Sequence, residues 1–386
     1  MLPSFDTPRR QAAEIDFILF WSTLFLLFLG TVMVYSATIP KSESGAFAGN
    51  HPAYFLFRHS IFLAAGLIAA AFAFQVPMTT WQQCAPWLFM LGFVLLMLVW
   101  APSVGRSVNG ARRWLSLGII NLQPSELMKL FAVIYAADYT VRKMPCMHDL
   151  KKAFLPIAAI MVVVGVILLK EPDFGAFVVV ISIVAGVLFL GGMRARLFAS
   201  LILGLLIAFA ALIYFSEYRR ERIFSYIDPW KDPFGRGYQL TNALIAFGRG
   251  GIWGVGLGAS VGKLDYLPEA HTDFLLAVIA EELGLIGVIV VICLFALIIQ
   301  RAFVIGRQAV ALDRLYSALV AQGVGIWVGV QSFINMGVNM GLLPTKGLTL
   351  PLMSFGGSGI FVNCVALALL LRVDWENRQL MRGGKV

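Results

Sequence analysis

Two carboxylates and one histidine lie close together just before a long apolar run. They are Glu269, His271 and Asp273, and the apolar run begins at Phe274. A carboxylate at the rim of a membrane can accept a proton from an attacking hydroxyl group, which is the role of a general base. Ionisable groups beside hydrocarbon cost free energy, so they indicate function by default. A structural interpretation stays open, because Asp273 could simply cap the helix that follows it.

Several cations lie in the other polar segments that we place on the same side of the membrane. They are Arg112, Arg113, Lys129, Arg249, Lys263 and Lys346. A carboxylate together with cations suits a base that acts beside an anionic leaving group. We therefore expect Arg112, Arg113, Lys129, Arg249 and Lys346, with Glu269 and His271, to bind a substrate around Asp273.

Three further carboxylates are interpreted as structural polar groups: Glu126, Glu281 and Glu282. Glu126 precedes Lys129 by three residues, so Lys129 either pairs within its own helix or joins a cationic wall with the neighbouring arginines. Glu281 lies eight residues beyond Asp273, about 12 Å further along a helix, which is too far to touch a reacting hydroxyl group. We expect Glu281 to pair with a cation from another helix, and Lys129 is one candidate.

Composition places the chain among polytopic membrane proteins. Of its 386 residues, 59% are hydrophobic and 13% are charged, and the mean hydropathy is +0.83. Soluble domains carry about 25% charged residues. The four cysteines match neither a zinc pattern nor a disulfide framework. We interpret the net charge of +9 as cytoplasmic anchoring plus cations near an anionic ligand, and we expect no nucleic-acid partner.

Ten apolar runs are long enough to cross a bilayer, which predicts an all-α fold in a single membrane domain, residues 1–386. The runs are 17–38, 54–75, 82–102, 124–142, 153–169, 174–192, 197–215, 274–300, 315–341 and 357–372. With both termini in the cytoplasm, the inner segments hold fifteen Lys and Arg residues, against six in the short outer loops. This orientation makes 1–16 and 373–386 cytoplasmic tails, and it makes 216–273 a long extracytoplasmic loop between spans seven and eight.

Two polar segments have patterns of their own. Residues 238–247 have a helical apolar period and predict an amphipathic helix in the membrane interface. The region 339–359 is rich in Pro and Gly, which fits a re-entrant loop that lines a cavity. Just before it, a stripe on one helix face predicts hydrogen bonds between helices. The stripe consists of Gln331, Asn335 and Asn339.

No catalytic triad, metalloprotease motif or nucleotide-binding fingerprint is present in the sequence. ATP hydrolysis is therefore excluded as the expected chemistry. The residues alone support either a transferase that acts on a lipid phosphate or a transporter of a lipid anion.

Five long motifs resemble those of the SEDS family, and in particular of its cell-division members. They are Gly237–Asn242, Ala246–Gly250, Lys263–Phe274, Glu281–Gly284 and Leu343–Pro351, and the resemblance extends over nearly the whole chain. One segment departs from the family pattern: residues 354–359 read Ser-Phe-Gly-Gly-Ser-Gly where the family usually has Ser-Tyr-Gly-Gly-Ser-Ser. The lost hydroxyl groups argue against a catalytic role for that segment.

The resemblance implies a glycosyltransferase that polymerises lipid II into peptidoglycan at the outer face of the bacterial cytoplasmic (inner) membrane, at the septum. Asp273 matches the catalytic aspartate of the family, with general base as its proposed role. The reaction inverts the anomeric carbon and releases undecaprenyl pyrophosphate. The cations, with a divalent ion such as Mg²⁺ or Mn²⁺, would offset the charge of that leaving group. The sequence assigns no metal ligands.

The resemblance also implies protein partners. These are a single-span class B penicillin-binding transpeptidase, for which spans eight and nine are the expected contact, and other membrane proteins of the divisome. Two competing functions remain open at this point, a lipid II flippase and a non-catalytic division scaffold.

Overall fold

The computed structural model describes residues 15–43, 53–101, 104–108, 111–116, 121–147, 149–215, 220, 226–235, 237–344 and 347–384. Within these residues the chain is mostly helical. Helices α1 to α11 are, in order, Phe17–Glu43, Tyr54–Gln75, Met78–Leu98, Pro124–Lys143, Leu155–Lys170, Phe174–Leu190, Ala195–Tyr214, Tyr238–Gly250, Leu275–Ala311, Leu315–Asn339 and Gly357–Met381. Strands β1 to β3 are Gly105–Val108, Ala111–Ser116 and Asn121–Leu122.

A helix occupies each of the ten apolar runs predicted from the sequence. Seven of the helical segments among the described residues are long and apolar enough to cross a membrane: those of α1, α2, α3, α5, α9, α10 and α11. Helix α4 carries the buried charged residues Glu126, Lys129 and Asp138, and α6 is a shorter apolar helix, as is the apolar part of α7, Ala195–Ile207. The chain is a multi-pass membrane protein, and the full number of ten crossings stays a prediction.

Helices α10 and α11 are the most enclosed of these segments, and the fully buried Trp327 lies on α10. Helix α11 packs on α2, and α9 packs on α10. The peripheral helices α2 and α3 expose large apolar side chains such as Phe57, Phe72 and Trp87. An apolar exterior around a more polar interior is the arrangement that a lipid environment favours.

The prediction of a purely helical fold needs one correction, in a segment that the sequence analysis treated as an outer loop. Residues 105–122 contain a three-stranded antiparallel sheet in the order β1-β2-β3. Leu115 of β2 pairs with Gly105 of β1 and with Leu122 of β3, and its side chain is buried. The dipeptide Asn109-Gly110, which lies outside the described residues, is a favoured hairpin turn in sequence terms. This dipeptide is the feature of the sequence that could have predicted the hairpin.

Helix α9 is longer than predicted and is broken at Gly284, whose φ of 68° and ψ of −165° are not helical. The loop after α8 fills the break with four backbone hydrogen bonds. The amides of Val255 and Gly256 donate to the carbonyls of Glu281 and Glu282 (3.0 and 3.1 Å), and those of Leu285 and Ile286 donate to Gly251 and Ile252 (2.9 and 3.3 Å). The backbone groups that the broken helix leaves unpaired are therefore satisfied by the loop.

Glycine at position 254 is required for this close approach. Its φ is +81°, and a Cβ on Gly254 would stand 2.2 Å from the Glu282 carbonyl oxygen. No L side chain fits at that distance, so the loop and the broken helix can pack only with glycine there.

Helix α11 also runs further than predicted, into residues assigned to the C-terminal tail. Its last turns bury Asp374, which pairs with Arg378, and Glu376, which pairs with Arg372 of the same helix and with Arg314 just before α10. At the same end of the bundle, Arg301 of α9 pairs with Asp16. A search for apolar runs ends the span before these carboxylates because they are charged. The ion pairs stabilise them inside the protein, so the helix continues.

Candidate active site

A polar cavity of about 380 Å³ opens where β2, the first turns of α4 and α6, the start of α9 and the segment 347–356 meet. Its charged lining residues are Arg113, Glu126, Asp173, Glu269 and Asp273, and its polar ones include Gln123, Gln239, Thr272, Thr349 and Ser358. Carboxylates therefore outnumber cations among the described lining residues. A cavity of this kind can hold a polar headgroup next to an ionisable acid.

Asp273 stands two residues before the first residue of α9 and is half-buried. The helix N-cap is Phe274, and no side-chain cap hydrogen bond forms there. The purely structural interpretation of Asp273 as the helix cap is therefore wrong. Instead the backbone carbonyl of Asp273 accepts hydrogen bonds from Asn335 Nδ2 (2.9 Å) and Asn339 Nδ2 (2.8 Å) of α10.

The surroundings of Asp273 bring its pKa close to neutrality. Burial raises the pKa of this carboxyl to about 7, the negative charge of Glu269 adds to the rise, and Arg113 partly opposes it. Asp173 raises the pKa slightly further. A carboxyl that titrates near neutral pH can accept a proton and release it again, as a general base must.

Arg113 is fixed by the turn between α5 and α6. Its Nε donates to the Glu171 carbonyl at 3.0 Å, and its Nη2 donates to the Pro172 carbonyl. A Cβ on Gly347 would lie 3.1 Å from Asp273 Oδ2 and 3.9 Å from Arg113 Nη1. Gly347 therefore leaves room for the carboxylate and the guanidinium at one wall of the cavity.

Two acidic residues here were not predicted from the sequence: Asp173, which lines the cavity, and Glu171, which is buried two residues earlier. Asp173 accepts from Ala176 N at the start of α6 (3.2 Å), and its other oxygen accepts from Ser125 Oγ (2.8 Å) and Gln123 Nε2 (3.2 Å). Burial raises the pKa of Glu171 to about 8, with Asp173 adding to the rise and Arg113 opposing it. The available signal was the same as for Asp273, an acidic residue at the start of an apolar run.

Lys129 and Arg112 do not line the cavity. Lys129 is fully buried, and its Nζ lies 2.8 Å from Glu126 Oε1 and from Gln331 Oε1. The pair within one helix is therefore the one that forms, and the expected pairing of Lys129 with Glu281 is wrong. Arg112 donates to backbone carbonyls at the base of the hairpin, among them Ala101 (3.3 Å) and Gly105 (3.4 Å).

The loop after α8 is held on α9 by ion pairs and hydrogen bonds of Arg249, Glu281 and Glu282. None of these three residues lines the cavity. Arg249 Nη1 lies 2.9 Å from Glu281 Oε1, and Glu281 also accepts from the Val261 amide (3.0 Å). Glu282 pairs with Lys263 (2.9 Å) and accepts from Ser36 Oγ of α1 (2.7 Å). These two carboxylates thus tie the loop between α8 and α9 to the helices.

Three predicted site residues remain: Glu269, His271 and Lys346. Glu269 lines the cavity and accepts from Thr272 Oγ1 at 2.7 Å. His271 is buried against the rings of Phe55 and Phe355, with centroids 5.5 and 5.7 Å away. Lys346 lies outside the described residues.

The sequence profile of the FtsW/RodA/SpoVE family, described as cell cycle proteins, matches residues 17–379 of the chain. The chain belongs to this family. A relative from Aromatoleum aromaticum, named probable peptidoglycan glycosyltransferase FtsW, is 64% identical over 97% of this chain and 92% of its own length. One with the same name from Burkholderia thailandensis is 58% identical over 98% of this chain and 82% of its own.

Solved structures of the FtsW/RodA/SpoVE type share the fold. One was solved in a study of the structural coordination of polymerization and crosslinking by a peptidoglycan synthase complex. It is 30% identical, with a TM-score of 0.75, over 95% of this chain and 99% of its own. The crystal structure of the rod shape determining protein RodA of Thermus thermophilus is 28% identical, with a TM-score of 0.67, over 96% and 99%.

The carboxylate oxygens of this family member are ligands of the type that Mg²⁺ and Mn²⁺ prefer. Among the described residues, however, no group of three or more His, Cys, Asp or Glu side chains is placed to hold a metal ion.

Proposed function

We propose that the chain is a peptidoglycan glycosyltransferase that polymerises lipid II, with Asp273 as the general base. The observation that carries this proposal is the Asp273 carboxyl, with a pKa near 7, in a polar cavity beside Arg113. The names of the close relatives support the same reaction class.

The proposed reaction is a single inverting displacement at the anomeric carbon of the donor sugar. The acceptor hydroxyl gives its proton to the Asp273 carboxylate while its oxygen forms the new bond to that carbon. The bond from the carbon to the phosphate oxygen breaks, and its electron pair leaves with undecaprenyl pyrophosphate. An α-linked donor thus gives a β-linked product, and Arg113 is placed to offset the charge of the leaving group.

An apolar groove beside the cavity supports a lipid-linked substrate. It has a volume of about 430 Å³, lies between α6, α7 and α10, and is lined by residues such as Phe177, Leu206 and Phe333. Leu348 lines both the groove and the cavity. A donor could therefore place its isoprenoid chain in the groove while its pyrophosphate and sugar reach the cavity.

A divalent cation, Mg²⁺ or Mn²⁺, would supply further neutralisation of the pyrophosphate. Because no group of three or more His, Cys, Asp or Glu side chains in the described part is placed to hold a metal ion, we propose that oxygens of the substrate complete its coordination. Asp173 and Glu269 are the lining carboxylates that would contact it.

We place both termini in the cytoplasm and the cavity at the outer face of the cytoplasmic membrane, with α4, α6 and α7 also crossing. The segment between α4 and α5 supports this orientation, because it includes Lys151 and Lys152 and follows Lys143, the last residue of α4. The septum is the proposed site of action, as the family's description as cell cycle proteins suggests.

A single-span class B penicillin-binding transpeptidase is the proposed partner, beside other membrane proteins of the divisome. The solved synthase complex, in which polymerization and crosslinking are coordinated, supports a cross-linking partner for a protein of this fold. Large apolar side chains on α9 remain exposed, including Leu285, Ile286 and Ile289, which offers a face for a partner helix.

Two other functions, a lipid II flippase and a division scaffold, are separated from the polymerase by one assay. Purified protein with its transpeptidase is incubated with labelled lipid II in vesicles, and glycan chains and translocation are measured together. Glycan chains that disappear in Asp273→Asn support the polymerase. Translocation without polymer would support the flippase, and neither activity would leave the scaffold.

A further inference from the structure

The first turn of α9 obtains its cap from another helix. In an ordinary N-cap, a side-chain oxygen of the residue before the helix accepts from a backbone amide two or three positions on. Here the N-cap residue is Phe274, which has no such oxygen. Asn339 Oδ1 of α10 accepts from the Ala277 amide at 3.1 Å, and that amide also approaches the Phe274 carbonyl at 3.1 Å.

The nitrogen of the Asn339 side-chain amide contacts Asp273. Asn339 Nδ2 donates to the Asp273 carbonyl at 2.8 Å, and Asn335 Nδ2 donates to the same oxygen at 2.9 Å. Both asparagines are buried. Only one orientation of the Asn339 side-chain amide fits these contacts, because the reverse orientation would set its Nδ2 donor against the Ala277 N–H donor and its Oδ1 against the Asp273 carbonyl oxygen.

We propose that Asn339 is a positioning residue that caps α9 from outside and thereby keeps the Asp273 carboxylate out of the cap and facing the cavity. This inference rests on the proposed role of Asp273 as the base. An aspartate beside a helix start competes for the free amides of the first turn. Amides that donate to a carboxylate stabilise its charged form, lower its pKa and weaken it as a base.

A thermal-stability cycle tests the cap without reference to activity. Without the Asn339 amide, the Ala277 amide keeps only its contact with the Phe274 carbonyl, and the position that Asn339 Oδ1 occupied is open to the Asp273 carboxylate. We therefore expect Asp273→Ala to leave the unfolding midpoint of the detergent-purified native protein unchanged or raised, and to lower it in the Asn339→Ala background. Equal effects of Asp273→Ala in the two backgrounds would overturn the proposal.

The pH dependence of glycan polymerisation tests the consequence for the base. We expect Asn339→Ala to lower the maximal rate at least tenfold and to move the acid limb of the profile below its native position. Asn335→Ala is the matched control, since it removes a contact to the same carbonyl but leaves the cap in place. That control should keep the native acid limb.

The two arms separate failure of this inference from failure of the proposed function. A native protein that makes no glycan would refute the function, while the stability cycle would still decide the cap. A native protein that polymerises, with an Asn339→Ala variant that keeps the native rate and acid limb, would refute the positioning role.

Discussion

At the scale of single residues, the carboxyl of Asp273 is neither fully charged nor fully neutral near pH 7. Its pKa of about 7 arises chiefly from burial; the negative charge of Glu269 adds to the rise, and the positive charge of Arg113 opposes it. A general base works only when it is ionised, so the polymerisation rate should rise with pH and level off above about 7. Below that point the rate should fall about tenfold per pH unit.

Replacing Asp273 with Asn should abolish glycan synthesis and leave the protein inserted and folded. Asn keeps the size and the backbone contacts of the residue but cannot accept the proton. Polymer formation and the thermal unfolding midpoint should be measured on the same preparation. Polymerisation at the native rate would rule out the base assignment.

Glu269→Gln and Arg113→Gln should move the acid limb of the rate profile in opposite directions. Glu269 raises the pKa of Asp273, so its neutralisation should shift the limb to lower pH. Arg113 lowers that pKa, so its loss should shift the limb to higher pH and also reduce the maximal rate. Each limb is read from initial rates across the pH range, and shifts of the same sign would contradict this electrostatic account.

The sequence predicted Asp273 and Glu269 because an acidic group before an apolar run is rare and costly. It did not predict which cations face them. Arg112 and Arg113 are adjacent on β2, yet they hydrogen-bond to different segments of the chain. Arg113 is the extra residue of a bulge in β2, since Arg112 pairs with Ser107 while Trp114 pairs with Arg106, and a bulge re-aims side chains. A segment interpreted as a loop predicts no such bulge.

At the scale of elements, the break in α9 depends on a glycine that has a natural control nearby. Gly254 and Gly258 both have positive φ, but a Cβ would meet the Glu282 carbonyl only at Gly254. Gly258→Ala should therefore introduce backbone strain alone, which lowers the free energy of unfolding by about 1–2 kcal/mol. Gly254→Ala should lower the unfolding midpoint much further, because the loop must leave the break. Equal effects on thermal unfolding would show that the contact is not needed.

Neutralising Glu126 should strand the fully buried charge of Lys129. We expect Glu126→Gln to lower stability by about 3–5 kcal/mol, and the double change with Lys129→Met to recover much of that loss. The matched comparison is Glu281→Gln with Lys129→Met, which should be additive because these residues do not touch. Denaturation in detergent gives all the values, and a non-additive second pair would contradict the pairing seen here.

The positions of the helices could be predicted from long apolar runs in the sequence, but the break in α9 at Gly284 could not. Glu281 and Glu282 interrupt the apolar run of α9, and Arg249 of α8 and Lys263 of the loop that follows α8 neutralise them. Partners that arrive from about twenty to thirty residues away in the chain leave no local periodicity. The amphipathic helix predicted at 238–247 was confirmed as α8, because its apolar face is local.

At the scale of the whole molecule, orientation in the membrane decides whether the cavity faces lipid-linked substrate outside the cell. Lys231 lies between α7 and α8, Lys151 lies between α4 and α5, and both are exposed. In a chain without its native cysteines, Lys231→Cys should react with a membrane-impermeant maleimide on spheroplasts. Lys151→Cys should react only after permeabilisation, and the reverse pattern would invert the topology.

Amide hydrogens at the break in α9 belong to two segments about thirty positions apart that must open together. Val255 and Gly256 donate to helix carbonyls, and Leu285 and Ile286 donate to loop carbonyls. Because none of the four can meet solvent until the loop leaves the helix, they should share one level of protection against deuterium exchange. The free energy of that single opening then sets the fraction of molecules in which the loop next to the candidate site is bound to α9.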